Sequence, residues 1–563
     1  MAKINYFEYI DNKLECDGVD KSVFLGSAII SQNELADFTV PCFKFSKTLR
    51  RSPMDVANTL AKLFENDPYF ESVSVANGYL NFKIDKTTFI QSVIDDVLNC
   101  DFYGASDFGQ GKTICLDYSS INIAKPFHIG HLSTTVIGAS LARVYKCLGY
   151  HVVSINHLGD WGTQFGKLIS AFKRWGDKDK IEKGGVREML KIYVKFHDEA
   201  DKDDSLNEEA RMYFKRIEDG CAEELELFHW FKDLTLKEVG KIYDRLGITF
   251  DSYDGESFYN DKMDTIIDEL DQKGLLTVSN GAKVVDLSEY KMPPCLIVKG
   301  DGATLYATRD LAAAEYRSKT YHFEKCLYVV AYQQNLHFQQ IFKVMELMGK
   351  DYANKVEHVA FGMVSLENLG SLSTRHGNVV FLEDVLDKCV EKARDIIEAK
   401  SPDLENKEDV ARIVGTGAVV FSALINNRIK DIVFSYEKVL SFEGESAPYM
   451  QYTYARANSV VTKAGVGGKY VVPHSLSESE FELAKAISQI PDILLALINK
   501  NEPSFLTRQL LDIAKWYNKF YFDCRIIGEE ENVKNFRLAL TNATKKVLKE
   551  GLSLLGIEVP EKM

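Results

Sequence analysis

The stretch "SSINIAKPFHIGHLSTTVIGASLARVYKCLGYHVV", residues 119–153, gathers Lys125, His128 and His131, with Gly130 between the histidines, just ahead of a long helical pattern. The unpaired N–H groups and positive dipole end of a helix N-terminus attract phosphate. Two imidazole donors and a lysine point charge at that place make a site suited to a polyphosphate. Gly130 carries no side chain, so a flat base could lie close to the backbone there. Asn122 belongs to the same loop, after the apolar run "KTICLDY". Open α/β sheets bind ligands at such strand ends.

Two other stretches carry chemistry. In "KGDGATLYATRDLAAAEYR", Tyr306 and Asp310 stand four apart and share one helix face. Near the C-terminus, "PYMQYTYAR" supplies Tyr449, Tyr452, Tyr454 and Arg456, and "WYNKFYFDCR" adds Trp516, Tyr521 and Arg525. Aromatic faces and hydrogen-bonding edges of this kind catch unstacked RNA bases.

The elements that must position these residues follow from periodicity. "KTICLDY", "HLSTTVIGASLARVYKCLG" closed by Gly149, and "HVVSINHLG" read as strand, helix, strand, with "TQFGKLISAFKRWG" the next helix. This βαβ order predicts a parallel sheet with a right-handed crossover. The sheet resumes at "KCLYVVAY", helix "HFQQIFKVMELMGK" and "HVAFGMVSL". Between the halves, at about 177–300, a charged helical region and shorter β-like pieces read as an insertion that splits the nucleotide fold. Ahead of the sheet, "MDVANTLAKLFEN" and "TTFIQSVIDDVL" have helical spacing, and "ESVSVANGYLNFKID" alternates like a hairpin. Beyond about residue 405 the pattern is almost continuously helical and predicts an α-bundle.

The expected organisation is therefore an α+β domain over 1–108, a Rossmann-like α/β domain over 109–405 with its insertion, and an all-α domain over 406–563. A hydrophobic content of 45% and a charged content of 27% are ordinary for a globular protein. No run reaches the roughly 20 apolar residues a membrane span needs, and the N-terminus has no signal-peptide core, so a cytoplasmic protein with no membrane partner is expected. The 10 cysteines include no C-x-x-C pair, which fits reduced thiols and no protein-bound metal. The net charge of −14 speaks against wholesale coating of nucleic acid but allows a local basic groove.

"SSINIAKPFHIGH" followed by "INHLGDWGTQFG" closely resembles the arginyl-tRNA synthetases, class I aminoacyl-tRNA synthetases marked by HIGH, here His128 to His131. The likeness runs on through "LYATRDLAAAEYR", "FEGESAPYMQYTYARA" and the chain end. It implies the class I synthetase catalytic core, an N-terminal tRNA-elbow domain and a helical anticodon-binding bundle. The second class I signature, a mobile KMSKS loop, matches "GSLSTRHGNVVF", where Ser371 and Thr374 replace both lysines. Lys125, just upstream of HIGH, fits the compensating lysine of many family members. The family often has arginine two places after HIGH; this chain has Ser133.

The resemblance implies activation of L-arginine by ATP to arginyl-adenylate, then transfer to the 3′ end of tRNA(Arg). His128, His131 and Lys125 would be catalytic, and these with Gly130, Ser373, Thr374, Arg375 and His376 would bind ATP, its Mg2+ arriving with the nucleotide. A guanidinium is a planar fork of five donors, so its pocket needs carboxylates and hydroxyls. The family's arginine contacts map to Asp117, Asn122, Tyr306, Asp310 and Gln334. Its tRNA contacts map to Asn77, Tyr79 and Asn81 at the elbow, and to Tyr449, Tyr521 and Met563 at the anticodon. A monomer is expected. Two other readings stay open: a class I synthetase for another amino acid, and a tRNA-binding relative without catalysis.

Overall fold

A computed structural model describes residues 6–16, 19–31, 36–300, 306–367, 379–465 and 467–563. The chain forms two compact units: Gly104–Tyr452 with Asp492–Leu510 and Gly551–Met563, and Met1–Tyr103 with Thr453–Pro491 and Leu511–Glu550. Both units cut across the expected 406–563 stretch, which is divided between them.

The larger unit is built on β1 (Thr113–Asp117), α1 (Leu132–Cys147), β2 (His151–Ile155), α2 (Ala222–Leu246), α3 (Tyr306–Tyr321), β3 (Lys325–Tyr328), α4 (Asn335–Leu347) and β4 (Val356–His358). The four strands form one parallel sheet in the order β4-β3-β1-β2. Register brings Asp117, Ile155 and Tyr328 level, so the carboxyl ends of three strands open at one edge. The chain leaves β1 for β2 on one side and returns as β3 on the other, so β1 and β3 flank the point where strand order reverses.

The β1 sequence, TICLD, is apolar because both faces are covered: Ile114, Cys115 and Leu116 are fully buried. Helix α1 is buried along nearly its whole length, including Ser133, Thr134, Thr135, Gly138 and Ser140. Small residues let it lie close to the sheet. A Cβ at Gly138 would fall far inside van der Waals contact with the Tyr118 ring.

Two expectations are corrected. "HVAFGMVSL" is not one strand: Val356–His358 joins the main sheet, whereas Val364–Leu366 pairs in parallel with Ile432–Phe434. That partner interrupts the stretch expected to be helical; its β-branched Ile432 and Val433 suit a strand once Val364–Leu366 offers an edge. The helix Lys407–Leu424 is buried nearly all round and packs on Leu382–Lys400 and on α1. A Cβ at Gly415 would stand 2.6 Å from the Val390 backbone nitrogen.

In the smaller unit, Ile29–Ile30, Phe38–Pro41, Tyr79–Ile84 and Phe70–Ala76 form an antiparallel sheet in that order over a core rich in Phe24, Phe45, Phe64 and Phe82. Its helix Lys86–Asn99 packs on Glu478–Ser488, with the Phe89 and Phe481 rings 5.8 Å apart. The expected hairpin turns at Asn77 and Gly78, both with positive φ.

Gly138→Ala tests the close approach of α1 to the sheet. Alanine gains about 1 kcal/mol of helix propensity, but overpacking costs about 1–3 kcal/mol or more. The overlap wins, and thermal unfolding is expected to show a lower midpoint than for the parent chain.

Candidate active site

The loop between β1 and α1 carries positive φ at Ser119, Ser120 and Ala124, a costly conformation for residues with side chains. Several bonds hold it there. Ser119 bonds the Thr135 and Tyr243 hydroxyls at 2.9 and 2.7 Å, and its N–H donates to Thr134 Oγ1. The Ala124 N–H donates to Thr235 Oγ1 of α2. Asn122 bridges in parallel to Gly159, where a Cβ would meet Asn122 Oδ1 at 2.5 Å. Thus the insertion, through Thr235 and Tyr243 of α2, braces the loop between β1 and α1.

His128 and His131 form a reciprocal cap. The Gly130 N–H donates to His128 Nδ1 at 3.0 Å, and the His128 N–H donates to His131 Nδ1 at 3.2 Å. With both Nδ1 atoms accepting, each neutral ring carries its proton on Nε2. Burial, and then the field of Lys125, pushes His128 down to about 4. Burial and the neighbouring His128 hold His131 well below the ordinary imidazole value. Both are therefore neutral Nε2–H donors at neutral pH, with Lys125 the nearby positive charge. Gly130 serves this cap. A Cβ there would stand 2.7 Å from the His128 ring, so glycine is required for the ring to fold back. Ser133 is buried, and its hydroxyl has no hydrogen-bond partner among the described residues.

The signature-loop residues Ser373, Thr374, Arg375 and His376 lie outside the described residues. The segment that follows them is pinned to HIGH: the Ile129 N–H donates to Val380 O and the Leu382 N–H to Phe127 O, both at 3.0 Å.

Beside this loop, a cavity of about 320 Å³ opens at the carboxyl edge of the sheet. Asp117, Asn122, Tyr306, Asp310 and Gln334 all line it, so the five expected arginine-binding residues converge. Sequence reasoning missed Glu256, His157 and His337, which line it too. Glu256 sits in the insertion, far along the chain from any motif. Its neighbour Ser257 donates through N–H and Oγ to the fully buried Asp160 of "GDWG", which also pairs with Lys232 at 2.6 Å. His337 stands three residues after Gln334, the one signal that could have flagged it.

Each carboxylate in the cavity faces an internal cation or donor. Asp117 Oδ2 lies 2.8 Å from Arg317 Nη1, and its Oδ1 accepts from Ser120 Oγ at 2.8 Å. Glu256 lies 3.5 Å from Arg309, and Asp310 accepts from His337 Nε2 at 2.6 Å. Burial pushes Glu256 up to about 7 despite Arg309. Burial works to raise Asp310, but the His337 bond together with the fields of His337, His157 and Arg317 outweighs it and lowers that carboxyl. The cavity is an acidic slot in which each carboxylate faces a resident cation or hydrogen-bond donor.

In the smaller unit, Tyr79 is exposed, its ring 5.2 Å from Phe43, while Asn81 Oδ1 accepts from Thr39. Asn77 forms the turn beside them. Tyr521 lines a cavity of about 370 Å³ with Arg456, Lys463 and Arg525, and the Arg456 guanidinium lies 5.1 Å from its ring. Of the remaining tRNA candidates, which belong to the larger unit, Tyr449 is half-buried on Ala447–Ala464 and Met563 packs against the cluster containing Ala393 and Val414.

Family models match three parts of the chain: the catalytic domain of class I tRNA synthetases (R) over 93–436, the DALR anticodon-binding domain over 450–563, and the arginyl-tRNA synthetase N-terminal domain over 19–84. The chain is 52% identical over 535 residues to an arginine–tRNA ligase of Halothermothrix orenii, covering 94% of each. It is 51% identical over 553 residues to that of Alkaliphilus metalliredigens, covering 98% of each. Among solved structures, Thermus thermophilus arginyl-tRNA synthetase superposes with a TM-score of 0.76 at 23% identity, covering 100% of both chains. The Plasmodium falciparum enzyme superposes at 0.74 and 24% identity, covering 99% of this chain and 97% of that one. With the HIGH cap and the acidic slot side by side on one parallel sheet, and relatives similar along almost the entire length, the chain belongs to the arginyl-tRNA synthetase family.

Proposed function

We propose that this chain is an arginine–tRNA ligase that forms arginyl-adenylate from L-arginine and ATP and passes the arginyl group to the 3′ end of tRNA(Arg). One observation carries the reading: a slot lined by Asp117, Glu256 and Asp310 adjoins a pair of neutral Nε2–H histidines at the start of a helix. The arginine carboxylate attacks the α-phosphorus of ATP, and pyrophosphate leaves. His128 and His131 donate to the phosphate oxygens as charge develops, and Lys125 supplies positive charge that the signature loop, without its two lysines, lacks. No side chain becomes covalently attached; catalysis is alignment and charge stabilisation. Magnesium enters with ATP.

Asp310 and Glu256 take the guanidinium, Tyr306 and Gln334 complete its pocket, and Asp117 and Asn122 hold the amino-acid end. Lysine would leave most of these acceptors unpaired, a mismatch that rejects an analogue by ~10⁴ or more. Asn77, Tyr79 and Asn81 serve the tRNA elbow, and Tyr449, Tyr521 and Met563 the anticodon. The exposed Tyr521, beside Arg456, Lys463 and Arg525, supports stacking of a base. The domain limits 1–108, 109–405 and 406–563 belong to this reading, as do a monomeric state and a cytoplasmic location. No helix among the described residues is long and apolar enough to cross a membrane.

The direct test is AMP release with a purified tRNA pool, scored against each of the twenty amino acids. Arginine alone should support turnover; activity with another amino acid, or tRNA binding without AMP release, overturns the proposal. Lys125→Ala should lower the chemical rate by about 10²–10³ with tRNA affinity almost unchanged, measured by single-turnover kinetics and filter binding. Glu256 gives a pH signature. Its raised carboxyl holds a proton below about 7, so the anion that attracts guanidinium grows in above that value. The KM for arginine should therefore fall as pH rises from 6 to 8, and Glu256→Gln should flatten that dependence while raising KM. In the ligand-free protein the sign is opposite: an acid raised on folding loses its stabilising contribution as pH rises through about 7.

A further inference from the structure

Arg317 is the largest fully buried side chain among the described residues, only 1% exposed, and it carries a charge that the mechanism above does not use. Buried guanidinium is costly unless paired. Its Nη1 lies 2.8 Å from Asp117 Oδ2, its Nη2 lies 3.4 Å from His157 Nδ1, and its Cζ lies 5.4 Å from the Tyr328 ring. Asp117 thus has one oxygen against Arg317 and the other accepting from Ser120. Arg317 stands seven residues after Asp310 on α3, two turns along the same face and about 10 Å away along the axis. One rigid helix therefore presents Asp310 to the slot and, two turns on, a resident guanidinium to the acid at the end of β1.

We infer that Arg317 is a positioning residue for amino-acid recognition: its ion pair with Asp117 fixes that carboxylate at the mouth of β1, so that the substrate's amino end is registered against Asp117 while its side chain reaches Asp310. The inference rests on the assignment of Asp117 to arginine binding made above. With Arg317 held on Asp117, the substrate's own guanidinium is left with the less firmly held carboxylates: Asp310, which faces an imidazole, and Glu256, whose pair with Arg309 is longer at 3.5 Å. Seated reversed, with its guanidinium at Asp117, the substrate would meet a carboxylate already paired.

The experiment is a double-mutant cycle on the full chain with Asp117→Asn, Arg317→Met and the double variant, reading the KM for arginine, the KM for ATP and kcat separately, with a thermal melt for each protein. Arg317→Met should raise the KM for arginine at least about tenfold, a change of about 1.4 kcal/mol, and leave the KM for ATP within about twofold. In the Asp117→Asn background it should add little, because the pair acts as a unit. Equal losses in both KM values, or effects that multiply in the double variant, would make Arg317 a packing residue and overturn the inference. If Arg317→Met does not fold, Arg317→Lys keeps the charge without the planar fork; it should raise the KM for arginine selectively, and an unchanged value overturns the inference. If Asp117→Asn leaves the KM for arginine unchanged, the underlying assignment of Asp117 fails and takes the inference with it. A selective effect of Asp117→Asn without one at Arg317 sinks the inference alone.

Discussion

Three carboxylates cannot be crowded into one buried slot unless a cation or a hydrogen-bond donor stands behind each. Asp117, Glu256 and Asp310 line a single cavity, and like charges there would drive protons onto one another. Arg317, Arg309 and His337 answer them one by one. The three pairs differ in kind. The Asp117–Arg317 pair is buried at 2.8 Å. The Glu256–Arg309 pair is looser at 3.5 Å, and burial still pushes Glu256 up to about 7. Asp310 faces an imidazole rather than a permanent cation. A guanidinium entering the slot meets its weakest competition at Asp310 and Glu256.

The two-histidine cap beside the slot solves the opposite problem with the same physics. Burial keeps His128 and His131 neutral, and their mutual cap fixes which nitrogen holds the proton. They contribute directed hydrogen bonds without adding two positive charges next to Lys125. Helix geometry supplies the frame, because the short turn Ile129–His131 runs directly into α1. The loop ahead of it is strained at Ser119, Ser120 and Ala124, and that strain is held by hydroxyls from α1 and α2. The insertion is thus part of the site: α2 braces the loop, and the turn after it delivers Glu256.

Asp160 connects the two halves of the site. Its carboxylate is fully buried, pairs with Lys232 of α2 and accepts from both polar groups of Ser257. Gly255 is needed beside it, since a Cβ there would stand 2.5 Å from Asp160 Oδ1. An aspartate in a recognisable motif therefore acts through the neighbour it holds in place.

Residues close together in sequence were legible without coordinates. Lys125, His128 and His131 share one loop, Tyr306 and Asp310 share one helical turn, and the βαβ periodicity predicted a parallel sheet whose strand ends would gather them. Local spacing determines such groupings because helix and strand geometry are fixed. What the chain's order could not disclose depends on packing between distant segments. Arg317 finds Asp117 only because β3 pairs with β1, and Glu256 reaches the slot only because Asp160 anchors its turn. Glycine at 130 is demanded by the His128 ring, which folds back to 2.7 Å from where a Cβ would stand. The strand Ile432–Phe434 exists because Val364–Leu366 offers it an edge. The sequence by itself determined which chemical groups share a loop or a helical turn; tertiary structure decided which of them meet and which charges neutralise one another, because the strength of an ion pair and the shift of a carboxyl depend on burial and distance, and neither is written in local order.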